Sequence, residues 1–257
     1  MIGIVVVSHS PALASAAVDL ALQMVAGEKP AIAIAAGAGE GVTGTDATKV
    51  AAAIDEVAGP DGVLVMMDLG SAVMSAEMAL DFRASNAEVK LSSAPFVEGL
   101  LAAIVTAAGG ASLDDVDREA NAALVPKQGM LGGSEPGSTS EAPQVEAPHV
   151  EAEQTEELTI LNPDGLHARP AATLVSALAG LDAKVTIANR RTASKPVAGK
   201  SLIGLLSLGA KAGDVVTVAA SGPQAAEALE KVRELVTSGF GEMGDEVSPF
   251  PDLRAQP

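Results

Sequence analysis

Three runs of consecutive apolar residues, IGIVVV, AIAIAA and GVLVMM, punctuate the first half of the chain, with a weaker fourth at EVKLSS. None of the three alternates apolar with polar positions, so each is expected to be a strand covered on both faces, as in a parallel sheet. Between and after them lie Ala-rich stretches with helical spacing at 11–25, 46–57, 71–82 and 96–108. That alternation predicts a doubly wound α/β domain with a mainly parallel sheet over 1–125. Such sheets bind ligands beyond the carboxyl ends of the strands, where the strand order reverses. His9 closes the first run, and Asp68 in MMDLGSA closes the third.

The pattern changes after 157. A strand at 157–161, a helix at 167–179, a strand at 183–188, a hairpin return near 191–198, a short helix from Ser201, a strand at 214–219 and a helix at 223–238 follow one another. Two β–α–β passages of this kind predict an α+β open-faced sandwich over 158–240, its helices on one face of an antiparallel sheet. Residues 241–257 read as a frayed tail. Between the two patterns, 126–157 is rich in Pro, Gly, Ser and Glu and lacks apolar periodicity, which predicts a flexible tether. Its reach is on the order of 30 Å for a coil of that length. His149 falls in it and is given no role.

Charge marks the same boundaries. Of the formal net charge of −17, residues 1–125 hold 5 basic and 16 acidic side chains, 126–157 hold 1 and 7, and 158–257 hold 10 and 10. Excess acid argues against a nucleic-acid partner, because phosphate backbones need clustered Lys and Arg. The chain has no cysteine, so disulfides, thiolate nucleophiles and Cys-based zinc sites are excluded. No apolar run approaches the ~20 residues of a membrane span, and no leader pattern opens the chain. A cytoplasmic protein is expected.

The candidate chemistry rests on histidine. His9 stands between a strand end and a helix start near Pro11, where free N–H groups favour an anion. Its imidazole is either a nucleophile for a phosphoryl group or a loop histidine bonded to its neighbours. Asp68 either holds one ring nitrogen as N–H, leaving the other free to attack, or caps the helix that follows it. The segment GAGEGVTGTDA fits G-x-G-x-x-G at Gly39, Gly41 and Gly44, so a dinucleotide site is a rival reading. The glycines follow the second strand, however, and neither Asp61 nor Asp68 ends a strand at the spacing such sites use. Thr45-Asp46 stands where a Walker A loop needs Lys-Ser/Thr. The preferred reading is a glycine loop near His9, with Thr45 or Asp46 capping a helix.

In NPDGLHARPAATLV, His167 sits at a helix start, Arg169 lies two residues on, and Pro170 tolerates only the first turn. A phosphate on His167 would be held by the helix end and the guanidinium; a capping histidine beside a surface arginine is the alternative. In GKSLIGLLSLGAKAGD, Ser201 reads as an N-cap. Leu202, Leu205, Leu206 and Leu208 read as core, or as a docking patch if exposed.

GLHARPA followed by GKSLIGLLSLGAKAGD resembles HPr, the histidine phosphocarrier of the bacterial phosphoenolpyruvate:sugar phosphotransferase system. VVVSHS, AIAAG, GTDA, VLVMMDLGSA and APFVEGLLAA are similar to the phosphotransferase subunit of the dihydroxyacetone kinase, a mannose-type EIIA fold. These resemblances imply that His167 takes phosphate on Nδ1 from Enzyme I with Arg169 assisting, and that His9 carries it on Nε2. They imply delivery to ADP on a partner kinase subunit, driving phosphorylation of dihydroxyacetone. Enzyme I is expected as a separate protein, ADP/ATP and Mg on the partner with no tightly bound cofactor here, and a homodimer through 1–125. The serine of the KS pair is a regulatory phosphorylation site in some members of the HPr family, and the resemblance places that role on Ser201. A regulatory phosphocarrier signalling to a transcription factor is the alternative function.

Overall fold

The computed structural model describes residues 1–25, 27–39, 41–131 and 154–243. Strands β1 (Gly3–Ser8), β2 (Ile32–Ala36), β3 (Val63–Met67) and β4 (Val89–Leu91) form a parallel sheet in the order β2-β1-β3-β4. Helices α1 (Pro11–Leu22) and α4 (Phe96–Ala108) cover one face; α2 (Ala47–Val57) and α3 (Gly70–Phe82) cover the other. Every residue of β1 is buried. Ile4 and Val6 pack toward α1 and α4, while Val5 and Val7 pack toward α2 and α3, which is why the strand sequence shows no alternation. Helix α2 approaches so closely that a Cβ on Gly3 would fall 2.4 Å from the Val57 carbonyl oxygen.

Strand β1 is flanked by β2 and β3, so the chain winds first to one side and then to the other. The reversal opens a crevice at the carboxyl ends of β1 and β3, where His9 and Asp68 lie.

Two helices were absent from the sequence expectation. Helix α5 (Leu113–Asn121) starts at Ser112, whose side chain accepts the Asp115 amide, and it buries only Leu113, Val116 and Ala120. Three apolar positions in a polar segment leave little periodic signal. Helix α6 (Val125–Met130) has Pro126 in its first turn. The tether expected at 126–157 therefore begins inside a helix, and its far end, from Gln154, is already strand. Residues 132–153, His149 included, lie outside the described residues, as do 244–257 of the expected tail. Helix α1 ends at Leu22, three residues before the sequence expectation.

The second unit carries β5 (Gln154–Thr159), β6 (Lys184–Asn189), β7 (Val197–Ala198) and β8 (Val215–Ser221), antiparallel in the order β5-β8-β6-β7. Burial alternates along β8, as a sheet with one covered face requires. Helices α7 (Ala168–Leu178), α8 (Leu202–Ser207) and α9 (Ala225–Thr237) supply the cover. Asp214 ties the β6–β7 connection to the start of β8. It accepts from Arg191 Nε at 2.6 Å, the Lys211 amide at 2.8 Å and Asn189 Nδ2 at 3.1 Å, and the Arg191 guanidinium in particular lowers its carboxyl pKa to about 2. A one-turn helix at Gly239–Gly241 brings Glu242 back to the start of α7.

The two units touch. Helix α4 packs on α7 and α8, α6 packs on α8, and one apolar cluster runs through both units. No helix among the described residues is long and apolar enough to cross a membrane.

Candidate functional site

The structure builds two histidine sites, one in each unit. At the first, the Asp68 carboxylate takes three donors. Its Oδ2 accepts the His9 amide at 2.8 Å and the Ser8 hydroxyl at 2.9 Å, and its Oδ1 lies 2.9 Å from His9 Nδ1. Burial works to raise the Asp68 pKa, but the bonds from the His9 amide, the His9 ring and Ser8 outweigh it, and the carboxyl stays below its ordinary value. An ionised carboxylate only accepts, so Nδ1 carries the proton and Nε2 keeps its lone pair. The Ser71 hydroxyl, 2.8 Å away in the first turn of α3, is placed to donate to that nitrogen.

The two readings of Asp68 separate here. Helix α3 begins after Leu69 with no side-chain cap, because the Asp68 carboxylate is spent on Ser8 and His9. The helix end that meets Nε2 is that of α3, whereas the sequence pointed to the start of α1 near Pro11. That start is capped by Ser10, which accepts the Leu13 amide. The glycine segment folds back on itself, with the Ala38 amide on the Val42 carbonyl, and the Gly44 amide holds the His9 carbonyl at 3.2 Å. Asp46 caps α2, and Thr45 bonds Ser75 of α3. Gly44 thus fixes the backbone of the histidine.

Ser71 was missed by sequence reasoning. The available signal was a hydroxyl three residues after Asp68 in MMDLGSA, one helical turn from the strand end.

At the second site, His167 is the N-cap residue of α7 and caps nothing with its ring. The loop before it is tied down by the Leu166 amide on the Ala210 carbonyl and by Asn162 Nδ2 on the Gly165 carbonyl. Gly165 has φ +69°, and a Cβ there would fall 2.3 Å from the Ala210 oxygen, so only glycine fits. His167 Nε2 lies 3.1 Å from Glu242 Oε2, and Asn162 Nδ2 donates to the same oxygen. By the argument used for His9, Nε2 carries the proton here. Nδ1 keeps the lone pair and has no partner among the described residues.

Glu242 was also missed, since it falls in the stretch read as a frayed tail. Arg169 is exposed and forms no ion pair among the described residues. Ser201 caps α8 through the Gly204 amide at 2.9 Å. Leu202, Leu205 and Leu208 are buried, while Leu206 faces the first unit beside α6. Among the described residues no group of His, Asp and Glu is arranged to hold a metal ion.

Two family models match the chain: "PTS system fructose IIA component" over residues 3–117 and "PTS HPr component phosphorylation site" over 154–238. The chain is 43% identical over 246 residues to the PEP-dependent dihydroxyacetone kinase, phosphoryl donor subunit DhaM, of Pantoea ananatis, covering 94% of this chain and 51% of the relative. To the protein of the same description from Escherichia coli it is 41% identical over 261 residues, covering 100% and 54%. To the phosphocarrier protein HPr of Chlamydia muridarum it is 38% identical over 84 residues, covering 33% and 78%. The chain therefore spans about half the length of the dihydroxyacetone kinase relatives.

Proposed function

Since the chain belongs to the family in which a mannose-type EIIA unit is joined to an HPr unit, we propose that it relays a phosphoryl group from His167 to His9 and on to a dihydroxyacetone kinase. Enzyme I is the donor to His167. ADP bound with magnesium on a partner subunit is the acceptor from His9, and the first unit acts as a cytoplasmic homodimer with no tightly bound cofactor of its own.

The observation that carries this reading is the pair of oppositely clamped rings. Each imidazole has one nitrogen engaged by a carboxylate and the other left with a lone pair, Nε2 on His9 and Nδ1 on His167. In the transfer, the His9 Nε2 lone pair attacks phosphorus as the bond to His167 Nδ1 breaks, and that electron pair stays on Nδ1. Asp68 and Glu242 hold the ring protons throughout, so no proton need leave either imidazole. They also stabilise the positive charge each ring gains while it carries phosphate. The first turns of α3 and α7 offer unpaired N–H groups to the phosphoryl oxygens, with Ser71 and Arg169 adding a hydroxyl and a guanidinium. Transfer between two nitrogens asks little covalent chemistry of the protein, so positioning and charge stabilisation supply the rate.

The test is incubation with Enzyme I and labelled phosphoenolpyruvate. Acid-labile, base-stable label is expected on both histidines. A His9→Ala variant keeps it on His167, and His167→Ala loses it altogether. Kinase subunits loaded with ADP should discharge His9 and consume dihydroxyacetone. Label that stays on His9 would point instead to a signalling role.

A further inference from the structure

We propose that the face formed by α4, α5 and α6 is a docking site for the second unit of the same chain, and that the docked form is the resting form of the relay. The role assigned to docking rests on the function proposed above; the docking itself does not.

A latch joins the units. Glu119 on α5 accepts the Ser201 hydroxyl at 2.7 Å through Oε1 and the Ile203 amide at 3.1 Å through Oε2. Ser201 caps α8, so one carboxylate from the first unit completes the cap of a helix in the second. Around the latch the contact is apolar: Val175 Cγ1 lies 3.2 Å from the position a Cβ on Gly109 would take.

The docked surface is the one that matters for transfer. His167, Leu166, Ala168, Ile203 and Leu206 line an open cavity of about 600 Å³ whose opposite wall is Glu98 and Leu101 of α4 with Lys127 and Met130 of α6. A protein that loads or unloads His167 and covers its surroundings meets this wall beside the ring. In the docked form the ground is already occupied by the chain's own helices. None of the residues at the His9 site, Ser8, Asp68 or Ser71, lines that cavity. In-line transfer needs His9 Nε2 within about 3–3.5 Å of the phosphorus on His167. Within one chain the second unit must therefore leave α4–α6 before it can serve its own His9, and Glu119 resists that departure.

The test uses the full chain. Ser201→Asp sets a second carboxylate against Glu119 and is expected to open the dock, while adding Glu119→Lys restores an attractive pair. Hydrogen exchange at the Ile203 amide reports docking without any phosphate present. Its protection should fall at least tenfold in Ser201→Asp and recover in the double variant. Single-turnover transfer from phosphorylated His167 to His9 should speed up about 3- to 10-fold in Ser201→Asp and return in the double variant. Unchanged exchange in Ser201→Asp would overturn the dock. Lost protection with unchanged or slower transfer would overturn its resting role. Absence of label from both histidines of the wild-type chain would instead defeat the proposed function, leaving the exchange result to judge the dock.

Discussion

Replacing Asp68 by Asn tests the assignment of the attacking nitrogen most directly. The carboxylate serves three donors, and an amide of the same shape offers one oxygen. With that oxygen in the Oδ2 position, the His9 amide and Ser8 stay satisfied, but the NH2 group faces Nδ1. The ring must then accept at Nδ1 and move its proton to Nε2, the nitrogen that has to attack. The opposite orientation keeps the productive ring but sets NH2 against the His9 amide. Ser8 can turn to the Ser10 carbonyl, 3.1 Å away, while the amide is orphaned at a cost of about 1–3 kcal/mol. That cost leaves the productive arrangement roughly 5- to 150-fold less populated. Loss of the negative charge that stabilises the phosphorylated ring deepens the deficit, and transfer to His9 is expected to slow by about 10²-fold. The assay is rapid-quench transfer from pre-phosphorylated His167, with label on His167 as internal control, beside ¹⁵N spectra that report the ring tautomer. A rate within threefold of wild type, with the proton found on Nε2, would refute the lone-pair argument.

Glu242→Ala should free the His167 ring to exchange tautomers and slow its phosphorylation by about 3- to 10-fold, the loss of one charge-assisted bond; Glu242→Gln keeps an acceptor and should recover most of the rate, with ¹⁵N shifts as the check. Gly165→Ala forces a Cβ into the Ala210 carbonyl at positive φ and should destabilise the second unit by at least about 2 kcal/mol, seen in denaturant unfolding, with the first unit's transition unmoved. Asp214→Asn removes a carboxyl whose pKa is lowered to about 2 from 3.8, so its contribution is present above about pH 4 and is lost as pH falls toward 2. The half-exposed Arg191 partner discounts the value to about 1–2 kcal/mol, and the variant should flatten stability over that pH range in melts of the second unit.

The placement of the candidate site residues was legible where residue type and element boundary coincide. His9, Asp68 and His167 each end a strand or start a helix, so their placement followed once the strands were found. The buried strands announced themselves because β1 and β3 have no solvent face to mark with polar residues. What was not legible depended on contacts far apart in sequence. Helix α5 carries its apolar residues at only three positions, and its Glu119 finds Ser201 82 residues away. Glu242 meets His167 across 75 residues, from a segment whose composition suggests no structure. Ser71 lay in plain view, but the cap reading at this helix start fell on Asp68, and a serine in the first turn shows no partner until the ring opposite it is known.

Asp68 grips the amide, the ring and the preceding hydroxyl of one short stretch at the end of β3's neighbour. His9 is thereby immobilised against the central sheet, unable to swing out toward an arriving donor or acceptor. All travel has to be undertaken by the visitors, which must come to a stationary nitrogen and fit the crevice around it. Selectivity among visitors then follows from the shape of their approach, because the atom they seek does not move to meet them.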